Sequence, residues 1–355
     1  MKKIIKWFLK IVLLIVLIAG GFVGYLTLTE YKPKPIEEIQ IEQNPTLKVT
    51  QNQTISLMTF NTGYAGLGED EDFVMDGGKK GRPDSKSVVE DYLDGIEGLI
   101  TTHDADIYLL QEVDLKARRS YEINQVDHYK ALLPTYHSTF AYNFNAVFVP
   151  FPVSLTDYIG PVKSGIQTLA KYQIESSERH QFPGEFSWPL RVANLKRAML
   201  VNTYSIEGST KKLVVVNLHM SAYDGDGSLR AQEMNYLKTF METQTSLGNY
   251  VIIGGDFNQT FPTAVDIYPP KPGLYQAYPI EANFLPSGYI FGIDITDPTC
   301  RLLNQPYNPN SELTQYYIID GFIVSDNITI DSVDVIQDDF KYSDHNPVYM
   351  TITLN

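Results

Sequence analysis

The sequence predicts an α+β fold, two β-sheets packed face to face with helices outside, and three observations carry that reading. Short apolar runs of strand length recur between Ile55 and Leu354, while few segments hold a long helical period. Polar or charged residues stand beside several of these runs, at Asn61, Glu112, His219, Asp256 and His345, so the strand ends should meet at one rim. The outer segment from about residue 51 onward shows no internal repeat and no second shift in composition, and its size suits one domain with a single large core.

The elements follow in order. Residues 1–10 are basic, with Lys2, Lys3, Lys6 and Lys10, and residues 4–28 form an apolar stretch long enough to span a membrane as a helix. Positive charge before the span and little after it places the N-terminus inside and the remainder outside. The small residues Ala19, Gly20 and Gly21 offer a cleavable signal peptide as the competing reading, but the apolar run continues past them without a clear A-x-A site. Residues 29–50 contain three prolines and no helical period, which predicts an extended tether. Residues 51–355 then hold strands at Ile55–Phe60, Asp106–Leu110, Phe144–Val149, Ile166–Ile174, Ala198–Ile206, Leu213–Leu218, Val251–Ile253, Ile318–Val324 and Val348–Leu354. Val88, Val89, Tyr92, Leu93, Ile96 and Ile100 mark one helix, with Ser87 and Glu90 placed as a capping box, and Leu229, Tyr236, Leu237, Phe240 and Met241 mark another.

Charge and cysteine usage narrow the setting. The chain carries a net charge of −14, and with the four lysines and one glutamate of residues 1–30 set aside the rest holds 24 basic and 41 acidic side chains, a net of −17. Such a surface repels long polyanions globally and leaves room only for a small, local phosphate site. The single cysteine, Cys300, excludes an internal disulfide and reads as a small buried hydrophobe. Asn258-Gln259-Thr260 is a glycosylation sequon on a candidate catalytic residue, which argues for a bacterial envelope rather than a eukaryotic secretory route.

Gly255-Asp256-Phe257-Asn258 and Ser343-Asp344-His345 supply a close turn, a hard anionic oxygen, a neutral amide and a side chain that titrates near neutrality. That set suits metal-assisted attack of water on phosphorus. Together with Thr59-Phe60-Asn61, Leu110-Gln111-Glu112-Val113, Val216-Asn217-Leu218-His219, Ile319-Asp320-Gly321-Phe322 and Asn346-Pro347-Val348, these motifs in this order resemble the endonuclease/exonuclease/phosphatase superfamily over Ile55 to Val348. The resemblance implies a four-layer α/β/β/α sandwich of the DNase I-like kind. It further implies that Glu112, with Asn61 beside it, holds a divalent metal, most often Mg²⁺ with Mn²⁺ as the alternative, and that Asp344 is a second metal or ring-positioning carboxylate. In the same comparison His345 corresponds to the general base, Asp320 to its orienting carboxylate, and His219 to a donor toward the phosphate or the leaving oxygen. Asp256 and Asn258 correspond to groups that orient nucleophile and phosphoryl group. The chain departs from the family pattern at Leu218, where threonine is common, and at Gly321, where tyrosine is frequent; neither change removes a catalytic group.

Other features carry two readings each. Within Lys116-Ala117-Arg118-Arg119, Arg119 is the better candidate for a fork on a substrate phosphate, against a solvated helix start. Gly77-Gly78-Lys79-Lys80-Gly81 lacks the ending and setting of a P-loop and reads as a flexible rim. Glu69 to Asp72 reads as a solvated acidic loop, and His103, His128, His137 and His180 as ordinary structural residues. Phe140, Tyr142, Phe144 and Phe148 alternate as a strand face, which means sheet core more often than lipid contact.

The sequence therefore predicts a metal-dependent phosphodiesterase, single-pass in a bacterial cell membrane, with the catalytic domain outside. Its substrate would be a lipid or a small phosphorylated metabolite. An extracellular nuclease is the alternative enzyme, and a catalytically inactive copy that binds a phosphorylated ligand or a partner is the alternative of another class. No protein partner follows from the sequence.

Overall fold

A computed structural model describes residues 1–43 and 45–355; Asn44, inside the segment read as a tether, lies outside the described residues. Two sheets form the body. The first runs across the strands Ile328–Val335, Val348–Leu354, Thr54–Asn61, Ile107–Ala117, Gly160–Ala170 and His137–Val149. The second runs across Ile36–Glu38, Ile174–Gln181, Ala198–Glu207, Lys212–His219, Tyr250–Asp256, Asp320–Ser325 and Tyr289–Gly292, with Val49–Thr50 beside Ala198–Glu207. Each sheet has a parallel pair near its centre, Thr54–Asn61 with Ile107–Ala117 and Lys212–His219 with Tyr250–Asp256.

The period of two within these strands builds four layers. Ile55, Leu57, Ile107 and Leu109 of the first sheet meet Leu213, Val215, Ile252 and Phe322 of the second in the central core. Their neighbours Met58, Phe60, Tyr108 and Leu110 point the other way, onto Val89, Leu93, Ile96 and Ile100 of the helix Lys86–Thr102. On the far side Val214, Val216, Val251 and Ile253 cover Leu237 and Met241 of the helix Ser228–Leu247. Strands apolar on both faces are what a sheet buried between a second sheet and a helix requires. This is the α/β/β/α sandwich expected, preceded by the helix Lys2–Leu28.

Several local expectations need correction. The helix Lys86–Thr102 is capped by Ser85, whose hydroxyl accepts from the Val88 N–H, and not by a box on Ser87. The segment Ile166–Ile174 is divided, because a turn after Ala170 passes the chain from one sheet to the other, where Ile174–Gln181 begins. The tether is tied down: Ile36, Glu37 and Glu38 pair with His180, Arg179 and Glu178 as an edge strand. The strand Ile328–Val335 and the helix Gln125–Leu132 escape the sequence reading; the first alternates with Asp331 and Asp334 on an exposed edge, and the second is short.

Candidate active site

The two parallel pairs deliver their ends to one rim. Asn61 stands opposite Gln111 in the first sheet, and Asp256 stands between His219 and Asp320 in the second. A bulge between Leu110 and Val113 releases Gln111 and Glu112 from pairing with the strand Gly160–Ala170, and Glu112 takes a left-handed backbone with φ +55°. Gly255 is required where it stands, because φ is +149° and a Cβ would lie 2.0 Å from the Leu218 carbonyl oxygen. Asn217 fixes one sheet against the other. Its amide donates to the Leu110 carbonyl (3.1 Å) and the Gln167 carbonyl (2.9 Å), and its oxygen accepts from Gln111 (2.8 Å).

Around this rim the side chains form a connected, largely buried cluster. His345 Nδ1 lies 2.8 Å from Asp320 Oδ2, which turns Nε2 toward Asn61 Nδ2 (3.4 Å), Asp344 Oδ2 (3.8 Å) and Asp256 Oδ2 (3.9 Å). Asn61 Nδ2 donates to Asp256 Oδ2 at 3.0 Å, and His219 Nε2 stands 3.3 Å from the same oxygen. The Asn258 N–H donates to Asp256 Oδ1 (2.8 Å), and the Asn258 amide donates to the Met220 carbonyl (2.8 Å). Glu112 is the open member, its side chain 23% exposed, with His219 Nε2 at 4.0 Å and the Arg119 guanidinium at 3.9 Å.

Burial and crowding of like charge set the electrostatics. Burial, reinforced by Asp320, pushes the Asp256 carboxyl up to about 6. Burial, with Glu112 beside it and only partly offset by His345, pushes Asp344 up to about 7. The rings are driven apart. Burial opposes charge on His345, but Asp320, with Asp344 beside it, outweighs burial and holds the ring well above its usual range. Burial and the charges of Arg197 and His345 hold His219 well below it. An excess of carboxylate oxygens, two of them lifted toward neutrality by burial and by each other's neighbours, is the donor set a hard dication relieves, so Glu112, Asp344 and Asn61 fit such an ion.

All the residues singled out from the sequence, Asn61, Glu112, His219, Asp256, Asn258, Asp320, Asp344 and His345, thus share one rim. Arg119 needs correction. Its fork is taken by Asp114, with Nε at 3.2 Å and Nη2 at 2.9 Å, and its guanidinium stacks 3.8 Å over Tyr64, so it braces Glu112 and does not face a phosphate with an open fork. Cys300 is buried, and burial pushes its thiol up to about 12, as suits an inert side chain. Two residues were missed. Asn217 carried a signal, a lone amide in the apolar run before His219, whereas Arg197, with a buried Nη1 that has no partner among the described residues, carried none.

A four-layer sandwich with carboxylates, amides and paired imidazoles at the ends of its central strands defines a phosphoester hydrolase. The chain belongs to the Endonuclease/Exonuclease/phosphatase family, whose model matches residues 58–345. Among solved structures it is similar to an endonuclease/exonuclease/phosphatase from Beutenbergia cavernae, at 17% identity over 85% of this chain and 72% of that one with a TM-score of 0.60. It is also similar to Danio rerio TDP2 complexed with a single-strand DNA product (16% identity, 85% of this chain, 99% of that one, TM-score 0.51). A third similar structure is the human Nocturnin catalytic domain with bound sulfate (14%, 89%, 97%, TM-score 0.51). No curated protein matches the sequence.

Proposed function

We propose that this protein is a membrane-anchored, divalent-metal-dependent phosphodiesterase that works on the outer side of a bacterial cell membrane. The observation that carries the chemistry is the His345–Asp320 contact at 2.8 Å, which orients the ring so that Nε2 faces Asn61, Asp256 and Asp344. Glu112, Asp344 and Asn61 would hold a divalent ion such as Mg²⁺ or Mn²⁺, which would supply polarisation of a phosphoryl oxygen and offset the crowded negative charge. His345 in its neutral form takes a proton from the attacking water, and Asp320 stabilises the ring once charged. The water oxygen bonds to phosphorus, one P–O ester bond breaks, and His219 would donate the proton that the phosphate or leaving oxygen takes up. Asp256, with Asn258 and Asn61 bonded to it, orients the water and the phosphoryl group.

The anchor reading rests on Lys2–Leu28, a helix whose mean hydropathy reaches 2.6 and which is only 6% buried across its most apolar window. The four lysines Lys2, Lys3, Lys6 and Lys10 at its N-terminal end support the orientation with the domain outside. Purified full-length protein should hydrolyse an activated phosphodiester with Mg²⁺ or Mn²⁺ and lose that activity with chelator or in Glu112→Ala. A folded wild type inert across metals and substrates would sink the enzymatic reading and favour the inactive binder.

A nuclease is the second reading, favoured by the similar TDP2 structure that holds a DNA product. The net −17 of residues 31–355 opposes it. A panel of plasmid DNA, phospholipid vesicles and inositol phosphates separates the two.

A further inference from the structure

The chain enters its folded domain at the rim that carries the catalytic cluster. The Gln181 N–H donates to the Pro35 carbonyl (2.9 Å), and Gln181 pairs with Ala198. The next step of the Met199–Leu218 register sets Ala198 beside His219, and Asp256 and Asp320 continue the same row. Three strand spacings of roughly 4.8 Å separate the entry point from His219.

The apolar helix is also fastened to the domain there. Residues 1–22 are exposed along the helix, but Leu26 is buried, Trp188 Nε1 donates to Thr27 Oγ1 (3.1 Å), and Phe22 meets Phe148 edge to face at 5.8 Å. Just past the helix, the buried Glu30 carboxylate holds Lys196 at 2.9 Å and Arg191 at 3.5 Å. At ~1.5 Å per residue, Ile4 to Phe22 covers roughly 28 Å, close to the ~30 Å of a hydrocarbon core. The domain therefore meets the helix at the depth of the lipid headgroups.

At that level two loops present apolar side chains to solvent. Val153 and Leu155 are each 98% exposed on the loop after His137–Val149, and Leu190 and Trp188 are 64% and 57% exposed on the turn that leads to Lys196. Scattered exposed hydrophobes are ordinary, but a group on adjoining loops, continuous with the end of a membrane-length helix, marks a surface that leaves water. The first loop is also bound to the end of the strand that carries Glu112. Arg118, next to Arg119, donates to the Thr156 carbonyl (2.8 Å) and to that of Tyr158, and stacks 3.8 Å over the Tyr158 ring.

We propose that these two loops and the last turns of the helix form a collar seated in the bilayer surface, so that the catalytic rim faces the membrane and the substrate is the headgroup phosphodiester of a glycerophospholipid. The proposal rests on the reading of the chain as an anchored phosphodiesterase. A headgroup phosphate lies at the depth to which the helix and collar bring the rim, whereas a long polyanion would have to enter between an acidic domain and the bilayer.

The test uses the full-length chain reconstituted with Mg²⁺ into vesicles of phosphatidylglycerol and phosphatidylethanolamine, beside bis(p-nitrophenyl) phosphate as a soluble diester. Wild type should cleave both. The double variant Val153→Asp, Leu155→Asp should keep its rate on the soluble diester and lose about tenfold or more on vesicle lipid. A variant that cleaves the lipid at the wild-type rate overturns the collar, and a wild type that cleaves the soluble diester but not the lipid overturns the substrate. A wild type inert on both, including in the metal panel above, overturns the enzymatic reading instead. Independently of activity, a polarity-sensitive dye on Leu155→Cys should be quenched by nitroxide-labelled lipid, and a dye quenched only by aqueous iodide would remove the collar.

Discussion

At Gly255 the backbone of one central strand runs against the carbonyl of its parallel neighbour, with φ +149° and no room for a Cβ. Gly255→Ala should cost about 3 kcal/mol or more, read as a lowered denaturant midpoint, because strain and a backbone clash act together. Asp320 has a different role, since its oxygen holds His345 at 2.8 Å. Asp320→Asn should lower kcat about 10²- to 10⁴-fold with little change in KM, checked by steady-state kinetics on a soluble diester. Single residues were the most legible scale of the site. An acid, an amide and a histidine next to apolar runs could be read directly at Asp256, Asn258 and His345. Arg119 was misread because the sequence does not show that Asp114, on the same bulged strand, occupies its fork. Arg197 is invisible in the sequence because nothing in its neighbours distinguishes a guanidinium whose buried Nη1 has no partner among the described residues from a surface one.

Elements are legible where at least one face of a strand is fully buried and obscure at an exposed edge. Val348–Leu354 was read with its exact bounds and Ala198–Glu207 to within a residue, because a continuous apolar or β-branched run leaves few alternatives. Ile328–Val335 lies at an edge with exposed acids, and its period of two is diluted by residues that face water. The helix Ser228–Leu247 shows how an element carries polar groups into the interior. Glu233 on its buried face accepts from the Ser221 N–H (2.9 Å) and hydroxyl (2.6 Å), yet burial outweighs these bonds and pushes its carboxyl up to about 7. A carboxyl raised in the folded state stabilises fully below its ordinary range, and that contribution is lost as pH rises through about 7. Wild type should therefore lose about 3 kcal/mol between acidic and neutral pH through this group, and Glu233→Gln should flatten that part of the profile in denaturant titrations across the range.

For the whole molecule, the rim is assembled from segments separated by as many as 284 positions, as between Asn61 and His345, so its geometry depends on the sandwich being closed. Sequence order alone shows that the motifs exist; the pairing of each central parallel strand with its neighbour brings them to one level. The closed fold also concentrates acids. Asp256, Asp320, Asp344 and Glu112 crowd one cleft in a chain that is already acidic, a cost that the folded state bears and the unfolded chain does not. A ligand that binds only the folded state and neutralises the cleft should then stabilise it by mass action, by about 2.7 kcal/mol at a free concentration one hundred times its dissociation constant. Mg²⁺ or Mn²⁺ should raise the melting temperature of wild type in calorimetry. Glu112→Ala should melt at a temperature that metal no longer shifts, because the open carboxylate at the mouth of the cleft is gone. Asp344→Asn should melt higher than wild type without metal, since it removes a buried charge, yet gain less from metal than wild type does. Equal metal shifts in wild type and both variants would place the ion elsewhere and break the link between the carboxylate cluster and the proposed chemistry.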